Sequence, residues 1–439
     1  MKEHKVSPMS SGSLASSQSW LFARIWGGFL LVLVMATYPL WFPPLDPQSS
    51  LSVPLITGIS SISGGWALVP SITLLFGLVI AVSTRESARM KIGWIVVAAS
   101  LLLSFLLDQH RLQPWAYQSF FYALIFSSMS ASAGHKWIMP LAASVYLYSA
   151  AGKFDFQFQH TVGQDLMAAL AGFLGGLPDG FNAENAARLA LLLPAVEFVA
   201  GVGLCLRRTR RLSVIVLIMM HGSLLILLGP LGLNHSRGVL LWNVMLIVQA
   251  YFIFWIPPDN EKRPAASDSE ENKHLKGVED QTFLSGIFAR SVKCLIVLAC
   301  LCPLTERKGY WDHWTSWSLY SPHTSRAEIE LHRSVAGNLN PQLVEFLEND
   351  EDGDGWQRLS LESWSLASRF VPIYPQARYQ LAIANQLCLT GDLDEQIRVK
   401  LKGVSDRWTG RRSEDRLIGK QQIAQACRNF WLYTGKNPR

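Results

Sequence analysis

Two side chains in this sequence stand where chemistry is expensive. Glu197 lies inside the apolar run 192–206, which stops at the basic cluster Arg207-Arg208-Thr209-Arg210-Arg211, and His221 lies inside the apolar run that leaves that cluster. An ionised acid within a bilayer costs about 3 kcal/mol on insertion scales, so it needs a partner or a purpose. Glu197 is ten residues before Arg207, and His221 is ten residues after Arg211. At about 1.5 Å per residue, both sit roughly 15 Å from the same membrane face. An acid and an imidazole level with each other on adjacent antiparallel helices can share a proton or hold the polar head of a ligand. They can equally form a hydrogen bond whose only work is to fix helix order. Ala200 and Gly201 flank the acid one turn on, and small residues there let another helix close over it.

A second constellation gathers in three short loops. The first reads Asp108-Gln109-His110-Arg111-Leu112-Gln113-Pro114-Trp115, Lys153 and Asp155 end a later apolar run, and His235 and Arg237 fill a tight turn. Mixed charges above one bundle suit an anionic or quinone-type head group; the competing reading is a set of salt bridges that lock the loops. Asn243 adds an amide inside the last helix of the group. Of six cysteines, none forms a CxxC pair, which argues against a thioredoxin-type site. Cys388 and Cys427 fall in the C-terminal region and, in an oxidising compartment, are expected to pair as a disulfide. The run Asp350-Glu351-Asp352-Gly353-Asp354-Gly355 copies the first half of a calcium loop, but position twelve is Leu361 and Glu362 comes one residue late. Calcium binding needs a bidentate acid there, so an acidic surface turn is expected and no metal site is assigned. Tyr310, Trp311, Trp314, Trp317 and Tyr320 read as an interfacial aromatic belt. No phosphate loop, nucleophile elbow or HExxH pattern occurs, so no soluble-type active site is assigned.

These residues need helices to position them. The 439 residues are 49% hydrophobic with 16 tryptophans and positive mean hydropathy, a balance that favours a polytopic membrane protein over a soluble domain. Nine apolar segments approach the length of a span: 20–41, 62–83, 91–107, 115–133, 137–152, 186–206, 212–233, 238–256 and 283–304. With residues 1–19 inside, the loops on the cytoplasmic side hold 14 Lys and Arg and those on the far side hold 3. That asymmetry predicts a cytoplasmic N-terminus and an extracytoplasmic C-terminal domain in an inner (cell) membrane. The expected divisions are a disordered N-terminus 1–19, four helices in 20–136, a four-helix core in 137–256, a polar linker 257–282, a ninth helix 283–304 and an α+β domain 305–439. The partners implied are membrane lipid and no nucleic acid, since no basic stripe is present.

The core carries a resemblance. Tyr148-Ser-Ala-Ala-Gly152-Lys153-Phe-Asp155, then Pro194-x-x-Glu197-x-x-x-Gly201-x-Gly203-Leu ending in Arg207, then His221, then Trp242-Asn243, together resemble the DoxX/MauE superfamily of membrane proteins over residues 145–256. The related vitamin-K-carboxylase-like membrane domain looks similar. The resemblance implies an integral membrane protein that supports a redox or protein-maturation process on the extracytoplasmic side, as MauE-type members supply disulfides during methylamine dehydrogenase maturation. It implies a quinone or lipid site inside the bundle and an extracytoplasmic redox or maturation partner. The alternatives are a carboxylase-like enzyme acting with a lipid-soluble cofactor, and a non-catalytic scaffold or transporter.

Overall fold

The computed structural model describes residues 11–44, 51–56, 64–173, 175–176, 183–256, 283–350, 352–430 and 432. The expected linker 257–282 and the first ten residues of the expected N-terminal segment lie outside the described residues.

Helices follow the apolar runs. α1 (Ser11–Ala36) and the single turn α2 (Tyr38–Trp41) precede the hairpin of α3 (Val69–Ser83) and α4 (Ser87–Leu107). A Cβ at Gly93 would stand 2.7 Å from the Ala81 amide nitrogen and 3.0 Å from the Gly77 carbonyl, so these two helices cross with their backbones touching. α5 (Pro114–Ser128) is buried on almost every side and forms the centre of the bundle. α6 (Ala131–Lys153) follows, then the short α7 (Phe156–His160), α8 (Val162–Phe173) and α9 (Ala183–Ala190). α10 (Leu192–Cys205), α11 (Arg210–Leu228), α12 (Arg237–Ala250) and α13 (Phe283–Leu301) complete the apolar set.

Among the described residues, six helical stretches are long and apolar enough to cross a membrane: Trp66–Ser83, Ser87–Leu107, Glu184–Cys205, Arg210–Leu228, Arg237–Trp255 and Gly286–Lys308. This is the pattern of a multi-pass membrane protein. The other three expected spans fall on α1, α5 and α6. The apolar part of α1 is the shorter stretch Trp20–Ala36, and α5 has 15 residues. α6 carries His135, Lys136 and Lys153. α5 is wrapped by other helices, which suits a short helix that is apolar around most of its circumference.

The C-terminal part is a small antiparallel sheet covered by helices. It comprises β1 (Arg326–His332), α14 (Pro341–Val344), β2 (Trp356–Arg358), α15 (Leu361–Arg369), α16 (Ala377–Thr390), β3 (Ile397–Lys402), β4 (Glu414–Ile418) and α17 (Gly419–Cys427). Strand order is β2-β1-β3-β4, with Ala327 opposite Leu401, Ile329 opposite Val399 and Leu331 opposite Ile397. The two-residue alternation sorts the faces. Ala327, Ile329 and Leu331 are buried toward α16, while Glu328 and Glu330 pair with Lys402 and Lys400 at 2.7 and 2.8 Å. The sequence suggests helix from 415 onward, but 415–418 extends β4, because Arg416 and Leu417 pair with Lys400 and Val399.

Candidate functional site

Inside the bundle, α10 lies against α6 in antiparallel fashion. A Cβ at Gly201 would sit 3.2 Å from Tyr146 and 3.1 Å from Leu147, so this glycine sets the close approach. Glu197, one turn earlier on α10, thereby meets Lys153, two turns later on α6. Lys153 Nζ donates to Glu197 Oε2 at 2.6 Å and to Ser149 Oγ at 2.8 Å. The two charged side chains are 11% and 9% exposed, a pair closed off from its surroundings. This corrects two expectations. The immediate partner of Glu197 is Lys153, not His221. Lys153 belongs to the bundle interior and not to a loop, because its stem folds back along α6 to reach the residue four positions earlier.

His221 on α11 faces α12. Its Nδ1 lies 2.8 Å from Asn243 Oδ1, while Asn243 Nδ2 donates to the Val239 carbonyl at 2.9 Å. The amide thus presents oxygen to the ring, which assigns the proton to Nδ1 and leaves Nε2 as an acceptor. That Nε2 is buried and has no hydrogen-bond partner. The Tyr146 ring is tilted against the imidazole with centroids 5.7 Å apart. The Tyr146 hydroxyl is likewise buried and faces Gln249 Nε2, which is close enough to serve as its partner. The other end of Gln249 is saturated: its Oε1 accepts from Gln118 Nε2 and the Tyr122 hydroxyl, both at 2.7 Å. Trp242 Nε1 donates to Gln118 Oε1 at 3.0 Å and extends this network. α6, α11 and α12 therefore bring polar side chains together around the bare His221 Nε2. A buried polar atom without a bond costs about 1–3 kcal/mol, and more in lipid, where water cannot reach it.

The outer polar residues have a different fate. Asp108 accepts from the His110 amide at 3.1 Å and stands 3.6 Å from Arg369 Nη1, a charge pair without a hydrogen bond. His110 Nε2 lies 3.0 Å from the Pro372 carbonyl and 3.2 Å from Ser365 Oγ. Burial drives the His110 pKa down to about 4, with Arg369 and Arg111 opposing its charge and Asp108 favouring it. Arg111 donates to the Leu40 and Trp41 carbonyls at 3.1 and 3.2 Å and pins α2. Gln113 Nε2 donates to the His110 carbonyl at 2.9 Å. Asp155 caps α7 through the Gln157 amide and accepts from Arg307 at 2.7 Å. The neighbouring Gln109 accepts from Arg378 Nε at 2.9 Å, and Arg378 also grips Asp312 in a bidentate pair at 2.9 and 2.6 Å. Gln386 donates to the Ser52 carbonyl at 2.7 Å, and the Phe156 amide donates to the Arg407 carbonyl at 2.8 Å. Asp108, His110 and Asp155 thus belong to a belt that docks the C-terminal domain on the bundle, not to an open mouth.

His235 and Gln113 do border a cavity of about 130 Å³ between bundle and domain, walled by Trp115, Trp242, Trp314 and Tyr320. His235 Nδ1 accepts from the Ser236 amide at 2.8 Å, and its ring meets Tyr320 edge-on. Arg237 is exposed at the start of α12.

The remaining motifs resolve simply. Cys388 and Cys427 lie buried where α16 packs on α17, as small apolar fillers, and the expected disulfide between them is not formed. Burial pushes the Cys388 thiol up to about 12. Asp350, Asp352 and Asp354 turn inward on their own loop, accepting from the Gly355, Asp354 and Trp356 amides, and Asp354 also pairs with Arg398 at 3.0 Å. One group escapes any sequence motif: Glu306, His313 and His323, all buried, converge in the segment between α13 and β1. The signal for it was slight, three ligand-type residues soon after an apolar helix.

Comparison with protein-family models, with curated proteins and with solved structures finds no match to this chain.

Proposed function

We propose that this multi-pass protein is of DoxX/MauE type and binds the polar head of a lipid-soluble cofactor, a quinone, in the pocket of groups around His221. In this reading it supports a redox or maturation process on the extracytoplasmic side. The supporting observation is His221 Nε2, buried without a hydrogen bond, beside the Tyr146 hydroxyl and the Gln249 amide from two other helices. A quinone carbonyl accepts from a tyrosine hydroxyl and an amide, and a quinol hydroxyl donates to a bare imidazole nitrogen, so both forms of the head find a complement. The Lys153–Glu197 pair adjoins this group, and its charges act on both His221 and Tyr146.

The test is to extract the detergent-purified protein and assay bound quinone by mass spectrometry. Wild type should retain quinone, and the double variant Y146F/H221F should lose it while remaining inserted and monodisperse. Absence of quinone from wild type, or equal retention by the double variant, overturns the reading.

A second reading, a non-catalytic scaffold, draws on the docking belt, which spends most of the outer polar residues on holding one domain in place. Under it, Y146F/H221F leaves the bound lipids unchanged, and the C-terminal domain captures a protein partner.

A further inference from the structure

We infer that Glu306, His313 and His323 bind one divalent transition-metal ion, zinc fitting best, and that the ion clamps the segment joining the last apolar helix to the sheet domain. The donor set is two imidazoles and one carboxylate. Hard ions such as calcium and magnesium take oxygen ligands, so two nitrogens select zinc or a neighbouring transition metal. The geometry is near what such an ion needs. Glu306 Oε1 lies 2.9 Å from His313 Nδ1 and 3.0 Å from His323 Nε2, and the ligand atoms of all three residues lie within 4.8 Å of one another. Tetrahedral bonds of about 2.0–2.2 Å put neighbouring donors about 3.4 Å apart, so an opening of roughly half an ångström admits the ion. The side chains are 8%, 3% and 0% exposed, which removes competing water from all but one position. Three protein ligands leave a fourth place for a water molecule.

The surrounding chain needs such a clamp. Residues 309–325 contain no helix or strand, yet Trp317 and His323 within them are completely buried. Trp317 and Tyr320 adopt left-handed backbone angles, φ 58° and 56°, each costing on the order of 1 kcal/mol. Arg378 holds this loop at Asp312, and an ion joining His313 and His323 to Glu306 just before the loop adds a second tether. Nearby, Arg307 pairs with Asp155, so the site lies directly beside the α6–α7 turn. The competing arrangement is a carboxylate shared by two imidazoles through hydrogen bonds alone. His323 Nδ1 is buried without a partner in either case and does not discriminate between them.

The experiment uses the full chain in detergent, stripped with a chelator, loaded with Zn²⁺, desalted and assayed by mass spectrometry for metal. Wild type should hold about one ion per chain, the double variant H313A/H323A about tenfold less, and D350N/D352N/D354N as much as wild type. Less than about a tenth of an equivalent in wild type, or a full equivalent in the double variant, overturns the site. Should the double variant fail to fold, Co²⁺ loading of wild type decides. An intense visible band of four- or five-coordinate cobalt supports the site, and the faint spectrum of hydrated cobalt overturns it.

Discussion

The bundle interior and the docking belt both bury many polar side chains, and they use them in opposite ways. In the belt, bonds run between halves of the chain far apart in sequence, as from Arg378 to Gln109 and from Gln386 to Ser52. Atoms without a hydrogen bond occur there too, among them Asp108 Oδ2, His110 Nδ1 and the Tyr379 hydroxyl. In the bundle, by contrast, the pairs join neighbouring helices, as Lys153 with Glu197 and His221 with Asn243, around a His221 Nε2 that is buried without a bond. One network ties a domain to the bundle; the other orders helices and leaves an imidazole nitrogen bare.

Four measurements press on that contrast. The largest effect should come from Arg378→Ala, which removes the bidentate pair with Asp312 and the bond to Gln109 at the belt. Removing one partner of a buried ion pair costs about 3–5 kcal/mol, and limited proteolysis should release the C-terminal domain far faster. Acid should act on the same belt through His110. Its folded pKa, about 4, is below the ordinary 6.5, so the folded state binds fewer protons. The stabilisation is complete above pH 6.5 and is lost as pH falls toward 4, on the order of 3 kcal/mol in all. Thermal unfolding followed across that window should show the drop in wild type and a smaller one in His110→Gln. Glu197→Gln keeps a hydrogen bond to Lys153 but leaves its charge uncompensated, and should lower unfolding stability by about 2 kcal/mol. Tyr146→Phe should be the mildest, changing stability by less than about 1 kcal/mol, because it removes only a neutral contact to the Gln249 amide. If it cost as much as Arg378→Ala, the tyrosine would be structural and the contrast would fail.

The sequence made parts of this legible and hid others for physical reasons. Glu197 and His221 stand out because a polar residue in an apolar run needs no alignment to be noticed, and both are indeed buried in the bundle. Lys153 was harder, because a lysine at the end of an apolar run normally reaches outward to water, whereas here it turns back to Ser149 and Glu197. The polar character of Asp108 and His110 was visible, but not their partners, since Arg369, Pro372 and Ser365 lie some 260 residues on and only the folded chain brings them together. The disulfide expectation rested on compartment alone and ignored that free cysteines pack well between helices. β4 was mistaken for helix because five residues of mixed charge have no clear period.

The belt also bears on assembly. The sheet domain follows the apolar helices in sequence, yet it grips segments near Ser52, Asp108 and Phe156 that flank the early ones. A chain that fails to bring those segments together leaves Arg369 and Arg378 without Asp108 and Gln109 beside them.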